Sequence, residues 1–459
     1  MHVRLLASTV SVLAIVLSAC GSMPKPEVTM PPVWQAPVAD AADATAPLNA
    51  LWWQRFESSE LNTLITQAVQ NNHDLRIAYA RVLQAEAGAR GATAALLPSV
   101  SASGGATRRG PDESTSHSAN LQASYQVDLF GEARSNAAST EQRLESSLYD
   151  RETVAITLIS NVITGYLQVL SARERLQLTG DRLKNAEAIL KLLDTQRRIG
   201  TLSELELAQQ RAALANQRAA LPALRLAERQ ALNNLAVLLG RMPEGFDIQG
   251  RSLTHLALPV VASGIPSTLL VRRPDLRRAE SDLAGANFDV SAARAARLPG
   301  IQLTASGGTA SAALAGLFST GTFAYSLGGS IAQTIFAGGR LAAQEDSARA
   351  RYQEVSLNYE RAVISAFSDV ENALTAVATG DEQYGFAQEA STQADLAYRL
   401  AELRYRAGIV DFQTVLNAQN QAFSSQESLV QNRLARFNAV IGLTLALGGG
   451  WDGTLPAET

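Results

Sequence analysis

The chain is poor in the groups that build reactive or cross-linked proteins. It holds one cysteine, four histidines, four methionines and 6% aromatic residues in 459 positions. One thiol excludes an intramolecular disulfide framework and any multi-cysteine metal or iron–sulfur site. The histidines (His2, His73, His117, His255) give no His-x-x-x-His metal pair. An excess of one charge is also missing. The 39 basic and 43 acidic residues leave −4, with no clustered basic face for nucleic acid. The glycine pairs Gly104-Gly105, Gly307-Gly308, Gly328-Gly329 and Gly338-Gly339 form neither a G-x-G-x-x-G fingerprint nor a Walker loop. No Ser-His-Asp or paired-carboxylate arrangement can be assigned, so neither an enzyme nor a cofactor or metal site is expected. What remains is a chain with a mean hydropathy of zero, too long for one ordinary globular core. Two domains or one extended body are expected.

The N-terminus is informative. A basic Met1–Arg4 precedes the apolar run Leu5–Leu17, which is too short for a permanent membrane-spanning helix and reads as a secretory signal over residues 1–19. The lone thiol, Cys20, ends the run Leu17-Ser18-Ala19-Cys20, which resembles a bacterial lipobox. A thioether-linked diacylglyceryl group and an acylated amino terminus would give stable anchoring. Gly21 and Ser22 follow, with no aspartate, as in lipoproteins sent to the outer membrane. Residues 23–50 then carry six prolines, so 20–50 reads as an extended lipidated tether, not a fold.

The body is duplicated. Asp74-Leu75-Arg76 returns as Asp275-Leu276-Arg277 and Leu97-Pro98 as Leu298-Pro299, both at an offset of 201. Phe130 matches Phe336 at 206, and Gly200 matches Gly408 at 208. A period this long implies two copies of a half rather than a short-repeat solenoid. The first copy is read as 51–250, with a β-hairpin over 99–130 and a helical hairpin over 131–240. The second is read as 251–452, with corresponding hairpins over 300–336 and 338–448, and 453–459 is a tail.

In each copy the region after Leu-Pro alternates with period two. Leu121, Ala123, Tyr125, Val127 and Leu129 are apolar, whereas Gln122, Ser124, Gln126 and Asp128 are polar. Phe323, Tyr325, Leu327 and Ile331 oppose Thr322, Ser326 and Ser330, and Ile301, Leu303 and Ala305 oppose Gln302, Thr304 and Ser306. Alternation with a wet side of small uncharged groups fits a transmembrane strand as well as a soluble sheet. The signal and lipid anchor favour the former. Proline-free runs follow over 131–198 and 338–406, with apolar seams at Ile156, Ser160, Ile163, Leu167 and Leu170 and at Val363, Phe367, Val370, Leu374 and Val377, offset by 207. Their heptad spacing predicts helices packed side by side. At 1.5 Å per residue each run makes on the order of 100 Å of helix. Both runs end before glycine, at Gly200 and Gly408, as a C-terminal cap requires. Return helices are expected over 203–240 and 411–447, with Pro222 kinking or interrupting the first.

Four strands cannot close a barrel, and open edges are not tolerated in lipid. The chain must therefore oligomerise if its strands are in a membrane: three copies would supply about twelve strands and four about sixteen. A polar lumen joined to a helical tube describes a conduit.

These residues resemble a known family. Arg272-Arg273-Pro274-Asp275-Leu276, Arg297-Leu298-Pro299, Val127-Asp128-Leu129-Phe130-Gly131, Ile335-Phe336-Ala337-Gly338-Gly339-Arg340-Leu341 and Leu447-Gly448-Gly449-Gly450-Trp451 are similar to the outer-membrane efflux channels of the TolC-like family. The branch is that of lipoproteins serving tripartite RND-type efflux. The resemblance implies a mostly α fold with a transmembrane β part. A homotrimer would form a 12-stranded β-barrel joined to a periplasmic α-helical barrel. It also implies a passive exit duct for small molecules, working with an inner-membrane pump and a periplasmic adaptor. A type I protein-secretion channel and a lipid-tethered periplasmic coiled-coil scaffold are the alternatives. The hairpin tips Ile199, Gly200, Thr201 and Leu202, with Ala407, Gly408, Ile409 and Val410, would contact the adaptor. Tyr405 matches a family gate tyrosine, and Thr414 and Asn417 fall where the family has aspartates. Asp411 is a substitute gate carboxylate or the cap of the return helix.

Overall fold

The computed structural model describes Met23, Pro26 and residues 31–36, 51–111, 114–200, 203–261 and 266–451. Each copy of the half contributes one helix, a β-hairpin, a very long helix and a return helix. The first copy has α2 (His73–Ala94), β1 (Ser99–Arg109), β2 (Ser114–Val127), α3 (Glu132–Arg198) and α4 (Glu204–Leu238), preceded by α1 (Ser59–Asn71). The second has α5 (Pro274–Ala295), β3 (Gly300–Ser311), β4 (Phe323–Ala332), α6 (Arg340–Arg406) and α7 (Phe412–Ala446). Matched helices have identical lengths: 22 residues in α2 and α5, 67 in α3 and α6, and 35 in α4 and α7. The seam offset of 207 is one short of the 208 set by both helix ends. At 208, Leu158, Val162 and Tyr166 correspond to Ala366, Val370 and Leu374, and all six are buried.

Local chemistry explains the ends. Ser203 and Glu206 form a reciprocal capping box at α4. Pro274 starts α5, where a missing N–H costs nothing. Pro222 does not interrupt α4. It is exposed, so the carbonyl left without a donor can turn to water. The alternation of β2 stops at Val127 rather than Leu129, because Asp128 turns to cap α3. Its Oδ1 accepts from the Ala133 N–H and its Oδ2 from the Arg134 N–H, both at 3.0 Å.

The chain divides into two compact units, each drawing on both copies. One contains residues 1–28, 80–149 and 276–362, and the other 29–79, 150–275 and 363–459. In the first, β1 to β4 form one antiparallel sheet in chain order, with β1 and β4 as open edges. In the second, Trp52, Phe56, Leu61, Ile65, Ile163, Leu167, Leu170 and Leu235 form the main core. The segment joining the copies is pinned there by neighbouring charges on α3. Arg173 Nη1 donates to the carbonyls of Ile248 (2.6 Å) and Gly250 (2.8 Å), and Glu174 accepts from the Leu253 N–H (3.0 Å). Tyr166 donates to Glu60 at 3.0 Å, and burial pushes its hydroxyl up to about 12, so it stays a donor.

The N-terminal segment is not a free tether throughout. Trp34 is buried against Leu269, Val370, Leu374, Leu443 and Leu447, with its ring 5.6 Å from Phe367. Glu371 accepts the backbone N–H groups of Gln35 (2.8 Å) and Ala36 (2.9 Å). An aromatic ring among prolines finds a pocket that proline content alone does not reveal. Cys20 lies outside the described residues, as do residues 37–50 and 452–459.

Candidate functional site: the strand sheet and the helix tips

Strand pairing sorts the sheet side chains into two faces. Directly paired rows on one face read Ser99, Ser124, Thr304, Gly328, then Ser101, Gln122, Ser306, Ser326, then Ser103, Asn120, Gly308, Ala324. Cross-strand hydroxyls bond along them, Ser99 to Ser124 at 2.8 Å and Ser306 to Ser326 at 2.9 Å. On the other face the rows read Val100, Ala123, Ala305, Leu327 and Ala102, Leu121, Gly307, Tyr325. Val100, Leu121, Phe323, Tyr325, Leu327 and Ile331 are all exposed on that face. Charge on the four strands is confined to Arg108 and Arg109, at the hairpin end of β1. Strands of 10 to 14 residues match the roughly 9–11 needed to cross a bilayer at a tilt. Backbone approach is close where glycine lines the sheet. A Cβ on Gly308 would meet the Ala119 carbonyl and the Asn120 side chain.

At the tips the chain turns through left-handed glycines, Gly200 at φ +81° and Gly408 at φ +73°. At the second tip the Ile409 N–H bonds to the Arg404 carbonyl at 2.9 Å, a Schellman closure. Ile199 and Ile409 are each 70% exposed, whereas Thr201 and Leu202 lie outside the described residues. Ala407 and Val410 flank the second turn.

The four gate candidates gather around the start of α7. Asp411 is the N-cap: its Oδ1 accepts from the Thr414 N–H (2.9 Å) and from Thr414 Oγ1 (2.6 Å). Those two bonds hold its carboxyl below the usual range. Asn417 accepts from Gln413 at 2.9 Å, so Thr414 and Asn417 present neutral groups. Tyr405 donates to Gln196 at 3.4 Å and packs edge-on against Phe412, ring centres 5.6 Å apart. Burial pushes its hydroxyl up.

Several governing residues escape sequence reasoning. Arg273 does more than precede a helix start. Its side chain is 12% exposed, pairs with Asp275 (2.7 Å) and Asp369 (3.3 Å), and donates to the Ala446 carbonyl at the end of α7 (3.2 Å). The first copy has the same joint, built from Asn72 donating to the Leu238 carbonyl at 3.0 Å. Leu238 and Ala446 are 208 apart, so the doubled motif could have exposed the correspondence. Glu345, 3% exposed, is held by Arg294, Arg297 and Arg349. The hydrogen bond from Arg297, together with Arg349, keeps its carboxyl below the usual range despite burial.

A family model described as outer membrane efflux protein matches residues 64–241 and 265–449. The pyoverdine export outer membrane protein OpmQ of Pseudomonas aeruginosa is 38% identical over 95% of both chains. The probable efflux pump outer membrane protein TtgC of Pseudomonas putida is 35% identical, covering 96% of this chain and 95% of the other. Among solved structures, the open state of the Neisseria gonorrhoeae MtrE outer membrane channel is similar at a TM-score of 0.86. The two are 31% identical, over 94% of this chain and 98% of that one.

Proposed function

Since this chain belongs to the outer membrane efflux protein family and is an outer-membrane exit duct, we propose that three copies close one barrel and export pyoverdine or a close chemical relative. The observation that carries the assembly is the sheet itself. Four strands with two open edges, one largely apolar face and one wet face of small polar groups, with charge only at the hairpin end of β1, cannot stand alone in a bilayer. Pairing β1 of one copy with β4 of the next removes every edge. The cargo rests on the OpmQ likeness over 95% of both chains.

The tips around Gly200 and Gly408 contact a periplasmic adaptor, and an inner-membrane pump supplies the driving force. The gate ring near Thr414 and Asn417 is neutral. Cys20 carries the acyl chains and fixes the protein to the outer membrane. The duct itself holds no cofactor and transforms nothing. A second reading, export of antibiotics or toluene, is favoured by the 35% identity to TtgC and related efflux proteins.

Deletion of the gene separates the cargo readings. Pyoverdine trapped in the periplasm with unchanged antibiotic susceptibility supports the first. Hypersensitivity to antibiotics or toluene with normal pyoverdine secretion overturns it. Labelled palmitate incorporated by a Cys20→Ser protein would refute the anchor.

A further inference from the structure

The apolar face of the sheet changes chemistry from one end to the other. At the helix end its rows are aliphatic, Val127, Ile301 and Ile331 standing side by side. Toward the hairpin ends two rows carry aromatic rings. Tyr325 lies beside Gly307 and Phe323 beside Thr309, and the rings are 75% and 65% exposed. Beyond the rings the same face turns polar. His117 is paired with Ala106 on one side and Ser311 on the other, and Arg108 is paired with Thr115 in the next row. His117 is two residues along β2 from Thr115, which makes it the diagonal neighbour of Arg108, about 7–8 Å away and within reach of a long side chain. Arg109 falls on the opposite, wet face.

Depth gives this polar end its meaning. Ten residues of β2 separate Val127 from His117. At about 3.4 Å per residue and a tilt of about 40°, they rise roughly 26 Å along the bilayer normal, the height of the apolar band of a membrane barrel. His117 and Arg108 therefore stand at headgroup level, just past the aromatic belt. A guanidinium on a lipid-facing strand is costly at the bilayer centre and nearly neutral there. Because the helices leave the sheet at its periplasmic end, this headgroup layer is the outer leaflet, which is filled by phosphorylated glycolipid. None of the four strands carries a carboxylate, so the face offers an anion no repulsion.

We propose that Arg108 and His117, with the hydroxyls of Thr115 and Ser311, bind a phosphate of the outer-leaflet glycolipid on the outer wall of the barrel, once per protomer. The inference rests on the closed barrel proposed above, which turns the apolar face to lipid. The guanidinium presents a planar fork of donors that matches phosphate oxygens, and the imidazole adds a further N–H. The aliphatic and aromatic rows below receive the acyl chains of the same lipid.

The test uses the full-length protein, purified in detergent as its heat-modifiable oligomer and mixed with diphosphoryl lipid A. Bound lipid is counted by native mass spectrometry. Wild type should retain the lipid, and Arg108→Ala should weaken retention by on the order of tenfold. Arg108→Lys should recover part of the loss, since it keeps the charge without the fork. Arg109→Ala removes the same charge from the wet face and should stay within about twofold of wild type. Should Arg108→Ala fail to assemble, Arg108→Gln carries the same expectation. Equal retention by wild type and the Arg108 variants, or an equal loss in Arg109→Ala, overturns the site. Dioleoylphosphatidylglycerol held as tightly as diphosphoryl lipid A overturns the assignment to the glycolipid. A wild-type chain that gives no heat-modifiable oligomer overturns the barrel reading instead.

Discussion

Three glycines with similar backbone strain and different surroundings separate conformational cost from steric cost. Gly200, Gly240 and Gly448 have φ of +81°, +66° and +100°. Alanine at any of them pays about 1–2 kcal/mol for a left-handed backbone. At Gly200 that is all, because nothing lies within 4 Å of a built Cβ. At Gly240 a Cβ would overlap the Asn71 carbonyl oxygen and stand 2.9 Å from its carbon. The joint must open, and the Asn72 bond to Leu238 goes with it, adding about 1–2 kcal/mol. At Gly448 the Cβ would overlap the Arg272 carbonyl oxygen, 2.9 Å from its carbon, and also meet Arg273 N at 3.5 Å. Displacing that peptide strains the Arg273 contacts to Ala446 and Asp369, which adds about 2–4 kcal/mol because a largely buried charge loses partners. The expected order of destabilisation is Gly448→Ala, then Gly240→Ala, then Gly200→Ala, at about 3–6, 2–4 and 1–2 kcal/mol. Far-ultraviolet circular dichroism of detergent-solubilised protein during urea unfolding would rank them. Three equal losses would refute the steric part, leaving backbone conformation as the sole cause. A Gly448→Ala protein as resistant as wild type would refute the joint itself.

Other outcomes follow from the same geometry. Glu345→Gln should destabilise by about 2–4 kcal/mol near neutral pH, since three guanidinium groups lose their shared carboxylate. A depressed carboxyl pKa stabilises above its unfolded value, so the gap to wild type should close as pH falls through and below the ordinary 4.5, read by urea unfolding at a series of pH values. Glu371→Ala should free the segment around Trp34 and make it a site of rapid limited proteolysis, while resting conductance stays unchanged. Wild-type channels should resist block by trivalent cations at low concentration, and Asn417→Asp or Thr414→Asp should create that block. Strong block of the wild type would refute the neutral ring.

Much of the fold could be read from the chain because its signals are local and doubled. Strand alternation is written in consecutive residues, so the faces around Leu121 and Tyr325 are legible without the pairing. Gly200 and Gly408 mark helix ends because only a residue without Cβ readily takes those dihedrals. Asp411 is ambiguous in sequence for a physical reason: the same carboxylate can face a pore or cap a helix, and the 2.9 Å bond from the Thr414 N–H shows that it caps α7. Contacts of long sequence separation left no such trace. Arg273 meets Ala446 across 173 positions, and Gln35 meets Glu371 across 336. Nothing in the neighbourhood of either residue announces its partner.

The duplicated joint shows which part of a contact duplication preserves. Asn71 and Arg272 occupy equivalent positions, as do Gly240 and Gly448, and in both copies the glycine sits against the carbonyl of its partner. The backbone arrangement is therefore common to both halves, because no side chain fits between those strands of main chain. The polar group that ties the joint is not common: a neutral amide serves at Asn72 and a guanidinium at Arg273. The difference tracks the surroundings, since Asp275 and Asp369 stand ready to neutralise a charge in the second copy. A buried cation with two acidic partners also fixes more geometry than an amide with one carbonyl. The arginine-rich motif that marks the second copy is thus the charged version of a joint that the first copy makes without charge, and its conspicuousness in sequence reflects the chemistry of that substitution rather than a separate site.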